Sequence, residues 1–371
     1  MSAQAERVPA TVLTGFLGSG KSTLLRRILA EPHGLKIAVI ENELGEENID
    51  GQIIASSAGE QIVQLSNGCI CCSIRDDLRA ALTGLMGRRH SGEIAFDRLV
   101  IETTGLADPG PVAQTFFLDA AVAEHYRPDA IITLVDAKFA MRQLDERAEA
   151  RRQVGFADRI FISKADLATP DDLARLNDRL ARMNRRAPRR EILFGDIALG
   201  EVLDVGGFNL TSDLLTSDLL TSDLLTSDLL TSDLLTSDLL TSDLELAAPD
   251  PAACPGCHDP SHAHAHADHH VHHDDVASFV FRANRPLHPG RFGQFLNAAI
   301  ASHGERMLRY KGVLNLSGLE RKVILQGVHQ LTSSDLGEPW RPDEVRVSTL
   351  VFIGIDLPMR LFLDSLERCQ A

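Results

Sequence analysis

No stretch of this chain carries enough consecutive apolar residues to cross a membrane, which takes about 20. The opening residues, Met1 to Arg7, lack the apolar centre of a secretory signal, so the expected location is cytoplasmic. Positive charge is in deficit: 37 Lys and Arg stand against 52 Asp and Glu, a formal net charge of −15. Nucleic acid demands a basic surface, so that partner class is excluded, as is a membrane. Cysteine is scarce, and its six copies are clustered: Cys69, Cys71 and Cys72, then Cys254 and Cys257, with Cys369 apart. Tight thiol clusters in a reducing compartment read as metal ligands rather than disulfides. The remainder is ordinary for a soluble globular protein, with 44% apolar and 24% charged residues. A length of 371 residues allows two domains and a sizeable core.

The chain is organised around Gly15-Phe16-Leu17-Gly18-Ser19-Gly20-Lys21-Ser22-Thr23. An apolar run from Val8 to Leu13 precedes it and reads as a buried strand. Leu24 to Leu29 follows and reads as a helix. Strand, glycine loop, helix is the setting of a phosphate-binding loop. Gly15, Gly18 and Gly20 let backbone N–H groups turn inward around a polyphosphate, and the helix N-terminus adds partial positive charge. Within the loop, Ser19 and Thr23 supply further N–H groups to the nucleotide. Lys21 brings a full charge to the β- and γ-phosphates, and the Ser22 hydroxyl is suited to ligate Mg²⁺. A glycine-rich turn with no ligand is the plain alternative, and the complete spacing speaks against it.

Lys36 to Ile40 reads as a second strand. It runs into an acidic loop, Glu41 to Asp50, at the kind of strand end where α/β sheets bind ligands. After another apolar run, Ile62 to Leu65, comes Asn67-Gly68-Cys69-Ile70-Cys71-Cys72. Three thiolates this close repel one another unless a cation holds them or they oxidise. Thiolates favour Zn²⁺ and other borderline or soft metals, and Glu41 or Glu46 is a candidate fourth ligand. One buried Cys would fit a core; CxCC does not.

Asp97 to Gly105 reads as a buried strand ending in Glu102, with Gly105 three residues on. In P-loop NTPases this acid lies near Mg²⁺ and the glycine N–H meets the γ-phosphate. A helix is expected from Val112, then strands over Ala130 to Val135 and Arg159 to Ile162. The last runs into Ser163-Lys164-Ala165-Asp166. Asp166 can accept hydrogen bonds from guanine N1 and N2, which adenine cannot offer, and the Lys164 stem can lie over the base. Ser163 stands where the guanine motif ordinarily has Asn. Alternating strands and helices predict a mostly parallel sheet covered on both faces.

Taken together, these motifs resemble the CobW/YjiA family of metal-handling P-loop GTPases. The likeness extends to Leu308-Arg309-Tyr310-Lys311-Gly312 and Val351 to Ile355, so it covers nearly the whole chain outside residues 209–275. The resemblance implies GTP hydrolysis, with GTP and Mg²⁺, coupled to delivery of a metal to a client metalloprotein. That metal is usually zinc and in some branches cobalt, with the CxCC thiols as its site. Self-association stays open. Two alternatives remain: a non-enzymatic metal buffer, and a P-loop protein of cobalamin biosynthesis.

The expected division is a P-loop GTPase domain over 1–208, a linker over 209–276 and a smaller α+β domain over 277–371. In the linker, Thr-Ser-Asp-Leu-Leu repeats six times from Thr211 to Leu240. A period of five matches neither a helix face nor a strand, and reads as tandem expansion of a tolerant loop. Beyond it, Cys254-Pro255-Gly256-Cys257-His258 precedes seven further histidines, His262 to His273. Interrupted His arrays bind divalent metals and will not pack a core, so this reads as a loose metal buffer. In the last domain, Pro289 to Ser302 and Pro358 to Arg368 read as helices. Ala277 to Phe281, Arg306 to Asn315, Val323 to Thr332 and Ser348 to Ile355 read as strands. Trp340 suits either a contact surface or a core edge.

Overall fold

The computed structural model describes residues 7–42, 54–55, 61–65, 74–208 and 274–371. Cys69, Cys71, Cys72, Glu46, the five-residue repeat and the His-rich stretch lie outside the described residues.

The first strand, β1 (Val8–Gly15), is buried along its whole length. Such a continuous apolar run is what a parallel strand covered on both faces requires. The helix after the glycine loop is α1 (Lys21–Ala30). There follow β2 (Ile37–Asn42), β3 (Ile54–Ala55), β4 (Gln61–Leu65), α2 (Ile74–His90), β5 (Arg98–Glu102), α3 (Pro109–Leu118), α4 (Ala120–His125), β6 (Tyr126–Asp136), α5 (Ala140–Glu146), α6 (Ala148–Phe156), β7 (Arg159–Ser163), α7 (Pro170–Met183) and β8 (Arg189–Ile192). They form one sheet in the order β3-β4-β2-β5-β1-β6-β7-β8. All its pairings are parallel except that of the two-residue β3 with β4. Period two sorts the side chains: Leu99 and Ile101 join the layer under α2, α3 and α6, while Val100 joins the layer under α1. Because β1 lies between β5 and β6, the glycine loop emerges at the sheet's centre, where chain order reverses and ligand crevices form.

β6 starts four residues before the apolar run begins. Arg127, Pro128 and Asp129 look like loop, yet Asp129 is buried and accepts from Thr11 Oγ1 at 3.1 Å and from the Gly206 and Val205 amides. Burial pushes its carboxyl up, against the pull of these hydrogen bonds.

The C-terminal sheet is antiparallel. Its strands are β9 (Val276–Ala283), β10 (Met307–Leu314), β11 (Arg321–Val328), β12 (Leu331–Pro339) and β13 (Ser348–Ile355), in the order β12-β11-β10-β13-β9. The helices Pro289–His303 and Met359–Glu367 share an apolar cluster with one face, through Phe292, Leu296 and Phe362 against Phe279, Tyr310 and Phe352. The other face supplies Val276, Leu308, Val351 and Ile353 to the cluster that holds α6. One expectation is corrected. Val323 to Thr332 is not a single strand but the tight hairpin β11–β12, with Val328 opposite Leu331. Its turn, His329-Gln330, has none of the Gly, Asn or Asp that mark hairpins, and His329 takes φ 53° there. Trp340 is buried, with Lys322 Nζ 5.0 Å from its ring centre.

A buried charge cluster joins the two sheets. Asp158, just before β7, pairs with Arg309 at 2.6 Å and Lys311 at 2.8 Å, both on β10. Arg309 also donates to the Phe156 carbonyl at 2.8 Å and stacks over Phe208, 4.1 Å from the ring centre. Burial alone would raise the Asp158 carboxyl, but Arg309, Lys311 and Arg186 together hold it below the usual carboxylate range. The same surplus of cations, added to burial, pulls the Lys311 ammonium well below its ordinary value.

Candidate functional site

Gly15 leaves β1 so close to β6 that a Cβ there would strike the Leu134 carbonyl oxygen. The loop then turns through Gly18 (φ 75°) and Gly20 (φ 99°), and Ser19 N donates to Phe16 O at 3.1 Å. Gly20 is the N-cap of α1 and brings no capping side chain, so the first amides of the helix keep their donors for whatever sits in the loop. Lys21 is 8% exposed, and its Nζ donates to Gly15 O at 2.8 Å and Phe16 O at 3.3 Å. Its ammonium is lowered by burial, with Glu102 pulling it back up. An ammonium has three donors, so one remains for an anion. The Ser19 hydroxyl is buried with no hydrogen-bond partner among the described residues. Thr23 is exposed on the first turn of α1.

Ser22 Oγ donates to Glu102 Oε1 at 2.8 Å. These two hard oxygen ligands, one from the helix start and one from the end of β5, are chemically suited to Mg²⁺. Gly105 comes three residues later and lies against the glycine loop: a Cβ on it would approach Leu17 N to 2.6 Å. Between them, Thr103 Oγ1 donates to Thr14 Oγ1 at 2.8 Å, and Thr103 N to Leu13 O at 3.0 Å, fastening the end of β5 to β1.

At the far side of the loop, Ser163 Oγ lies 2.7 Å from Ser19 O and 3.3 Å from Val135 O. A hydroxyl has one proton, and the nearer carbonyl is its better acceptor. Lys164, held at φ 57°, donates from Nζ to Gly18 O at 2.7 Å and Asp136 Oδ2 at 2.6 Å. Asp166 is exposed on the short turn Ala165–Leu167 that follows. The anchoring role of Asp136 was not legible in sequence, where it marked only a strand end.

Glu41 sits on β2 in register with Glu102 on β5, and β4 runs parallel to β2 on its other side. Of the predicted zinc ligands, only Glu41 falls among the described residues, and those residues hold no group of three or more His, Cys, Asp or Glu able to bind a metal. A further functional candidate had no sequence signal. Gln153, on an arginine-rich helix some fifty residues downstream, is buried and donates from Nε2 to Gly105 O at 3.2 Å and Ala107 O at 3.0 Å.

Residues 9–190 match the model described as the CobW/HypB/UreG nucleotide-binding domain, and residues 276–370 match the cobalamin synthesis protein cobW C-terminal domain. The chain is 39% identical over 351 residues to the zinc chaperone YjiA of Escherichia coli, covering 95% of each chain. It is 38% identical over 208 residues to the zinc-regulated GTPase metalloprotein activator 1 of Schizosaccharomyces pombe, covering 54% of this chain and 50% of that one. Among solved structures, a Zn(II)-bound YjiA GTPase from E. coli matches at 34% identity with a TM-score of 0.72, over 99% of this chain and all of that one.

Proposed function

Since the chain belongs to the CobW/HypB/UreG family of P-loop proteins and carries its CobW C-terminal domain, we propose that it is a GTPase that binds Zn²⁺ and passes it to a client metalloprotein. The observation that carries this reading is the adjacency of Glu41 and Glu102. The carboxylate read as a cargo ligand and the one read as the Mg²⁺ acid stand on neighbouring strands at one end of the sheet. β4 ends beside them at Leu65, four residues before Cys69.

In this reading Lys21 and the loop amides bind the phosphates. Ser22 and Glu102 hold Mg²⁺, which supplies charge neutralisation to the transferring phosphate. Gly105 faces the γ-phosphate, Lys164 and Asp166 bind guanine, and Cys69, Cys71 and Cys72 hold Zn²⁺ with Glu41 or Glu46. Cobalt fits the same donors less well than zinc, since thiolates favour the softer ion. The activity belongs in the cytoplasm, where paired thiols stay reduced. Among the described residues no helix is long and apolar enough to cross a membrane.

One measurement tests the whole reading: Zn²⁺ affinity with a slowly hydrolysed GTP analogue and with GDP, in wild type and in Cys71→Ser and Cys72→Ser. Linkage makes the effect reciprocal, and a coupling of roughly 1–3 kcal/mol, about five- to 150-fold, is expected in wild type. Both serine variants lose the tight metal and the coupling, because a hydroxyl is a far poorer zinc ligand than a thiolate. Equal affinities in the two nucleotide states overturn metal delivery and leave a metal buffer.

A further inference from the structure

The helix α6 is only nine residues long, yet it touches both halves of the molecule. On one side Gln153 spends both amide protons on the carbonyls of Gly105 and Ala107. Next to it, Arg152 pairs with Asp108 Oδ2 at 3.1 Å, and Asp108 Oδ1 accepts from Gly110 N at 2.8 Å to cap α3. The helix is itself pinned to the middle of the parallel sheet, where Thr133 Oγ1 donates to the Gln153 carbonyl at 2.8 Å.

On the other side, Gly155 lies flat against the antiparallel sheet. A Cβ there would come within 2.6 Å of Leu308 Cδ1 on β10 and 3.1 Å of Val276 Cγ1 on β9. Phe156 accepts from Arg309 through its carbonyl, and its ring meets His329 edge-on, with centres 5.3 Å apart. His329 closes the circuit: its Nε2 lies 2.7 Å from where a Cβ on Gly110 would be. The 105–110 loop is therefore held by α6 from one side and by the β11–β12 turn from another.

We propose that α6 couples the Gly105 loop to the C-terminal sheet, with Gln153 as the positioning residue for that loop. This rests on the GTPase reading. The Gly105 N–H and carbonyl lie on successive peptide units that share one Cα, so a displacement of the whole residue toward a phosphate carries its carbonyl along, and the Gln153 bond then breaks or follows. If it follows, α6 has no compressible layer between itself and β10, because the contact at Gly155 is backbone against side chain at close-packed distance. The C-terminal domain then reads which nucleotide is bound, and whatever it grips is gripped differently in the two states.

The test uses the full chain. Affinities for GDP and for a slowly hydrolysed GTP analogue are measured for wild type and for Gln153→Met, which keeps length and loses both donors. Amide hydrogen exchange over 307–314 is followed in each state. Wild type is expected to show exchange there that differs between the two nucleotides. Q153M is expected to lose that difference and to lose about five-fold or more of its preference for the analogue, with GDP affinity within about two-fold of wild type. A merely structural role would weaken both nucleotides alike. Should Q153M not fold, Arg152→Gln, at the exposed rim of the same contact, is expected to shift the preference in the same direction by less. Exchange over 307–314 that ignores the nucleotide in wild type, or wild-type discrimination in Q153M, overturns the proposal. A wild type that binds neither nucleotide overturns the GTPase reading first, and this inference with it.

Discussion

Lys21 is almost fully buried, and two loop carbonyls take two of its three donors. That arrangement ties the ammonium to the loop backbone and leaves one donor, the one that a transferring phosphate would take on the GTPase reading. Lys21→Ala is expected to lower GTP turnover by at least about 100-fold, read as phosphate release. Asp166→Ala is expected to weaken GTP more than ATP; equal losses in the two affinities would remove the case for guanine selection. The shape of the loop was legible because its positive-φ glycines and the lysine behind them recur at a fixed spacing within a few positions of sequence. Gln153 and Asp136 were not, because each acts on the loop from a distant element and neither belongs to a local pattern.

The strand β7 works through its last residue. Ser163 gives the glycine loop one hydrogen bond, to Ser19 O, and Lys164 gives it another, to Gly18 O. Ser163→Ala removes the first and leaves the second. A hydrogen bond of this kind contributes about 1 kcal/mol, so GTP affinity is expected to fall about five-fold, with the melting temperature little changed; a titration with a fluorescent GTP analogue reads it. The parallel strands were readable because burial on both faces writes them as unbroken apolar runs. The hairpin β11–β12 was not. Its apolar residues continue across the turn, and the turn is made by His329 and Gln330, whose types carry no bend. What pins that turn is its seat against Phe156 and Gly110, a contact from the other domain that no local window contains.

The two domains share one apolar cluster and one buried set of charges, centred on Asp158. Asp158→Ala would leave Arg309 and Lys311 buried without their anion, and is expected to cost about 3–5 kcal/mol of stability at neutral pH. The pH dependence has a definite sign. The folded carboxyl titrates below its usual range, so the unfolded chain takes up the proton first as pH falls. The stabilisation is complete above about pH 4 and is lost progressively below it, so wild type and D158A should converge in acid. Urea unfolding of both proteins at neutral pH and near pH 3 checks this; a constant gap would show that Asp158 does not govern the joint. Two described residues flank residues 209–273 at the joint. Phe208 is fixed by its amide on Asp129 O and lies beneath Arg309, while Asp274 is fixed on Arg179 at 2.6 Å. Both are posts set in the same block. A single cut anywhere from 209 to 273 should therefore yield two complementing fragments that elute together. By the same logic, gain or loss of copies of the five-residue unit is expected to act as a heritable length polymorphism, changing the spacing along the chain between two posts already set and leaving the melting temperature little changed.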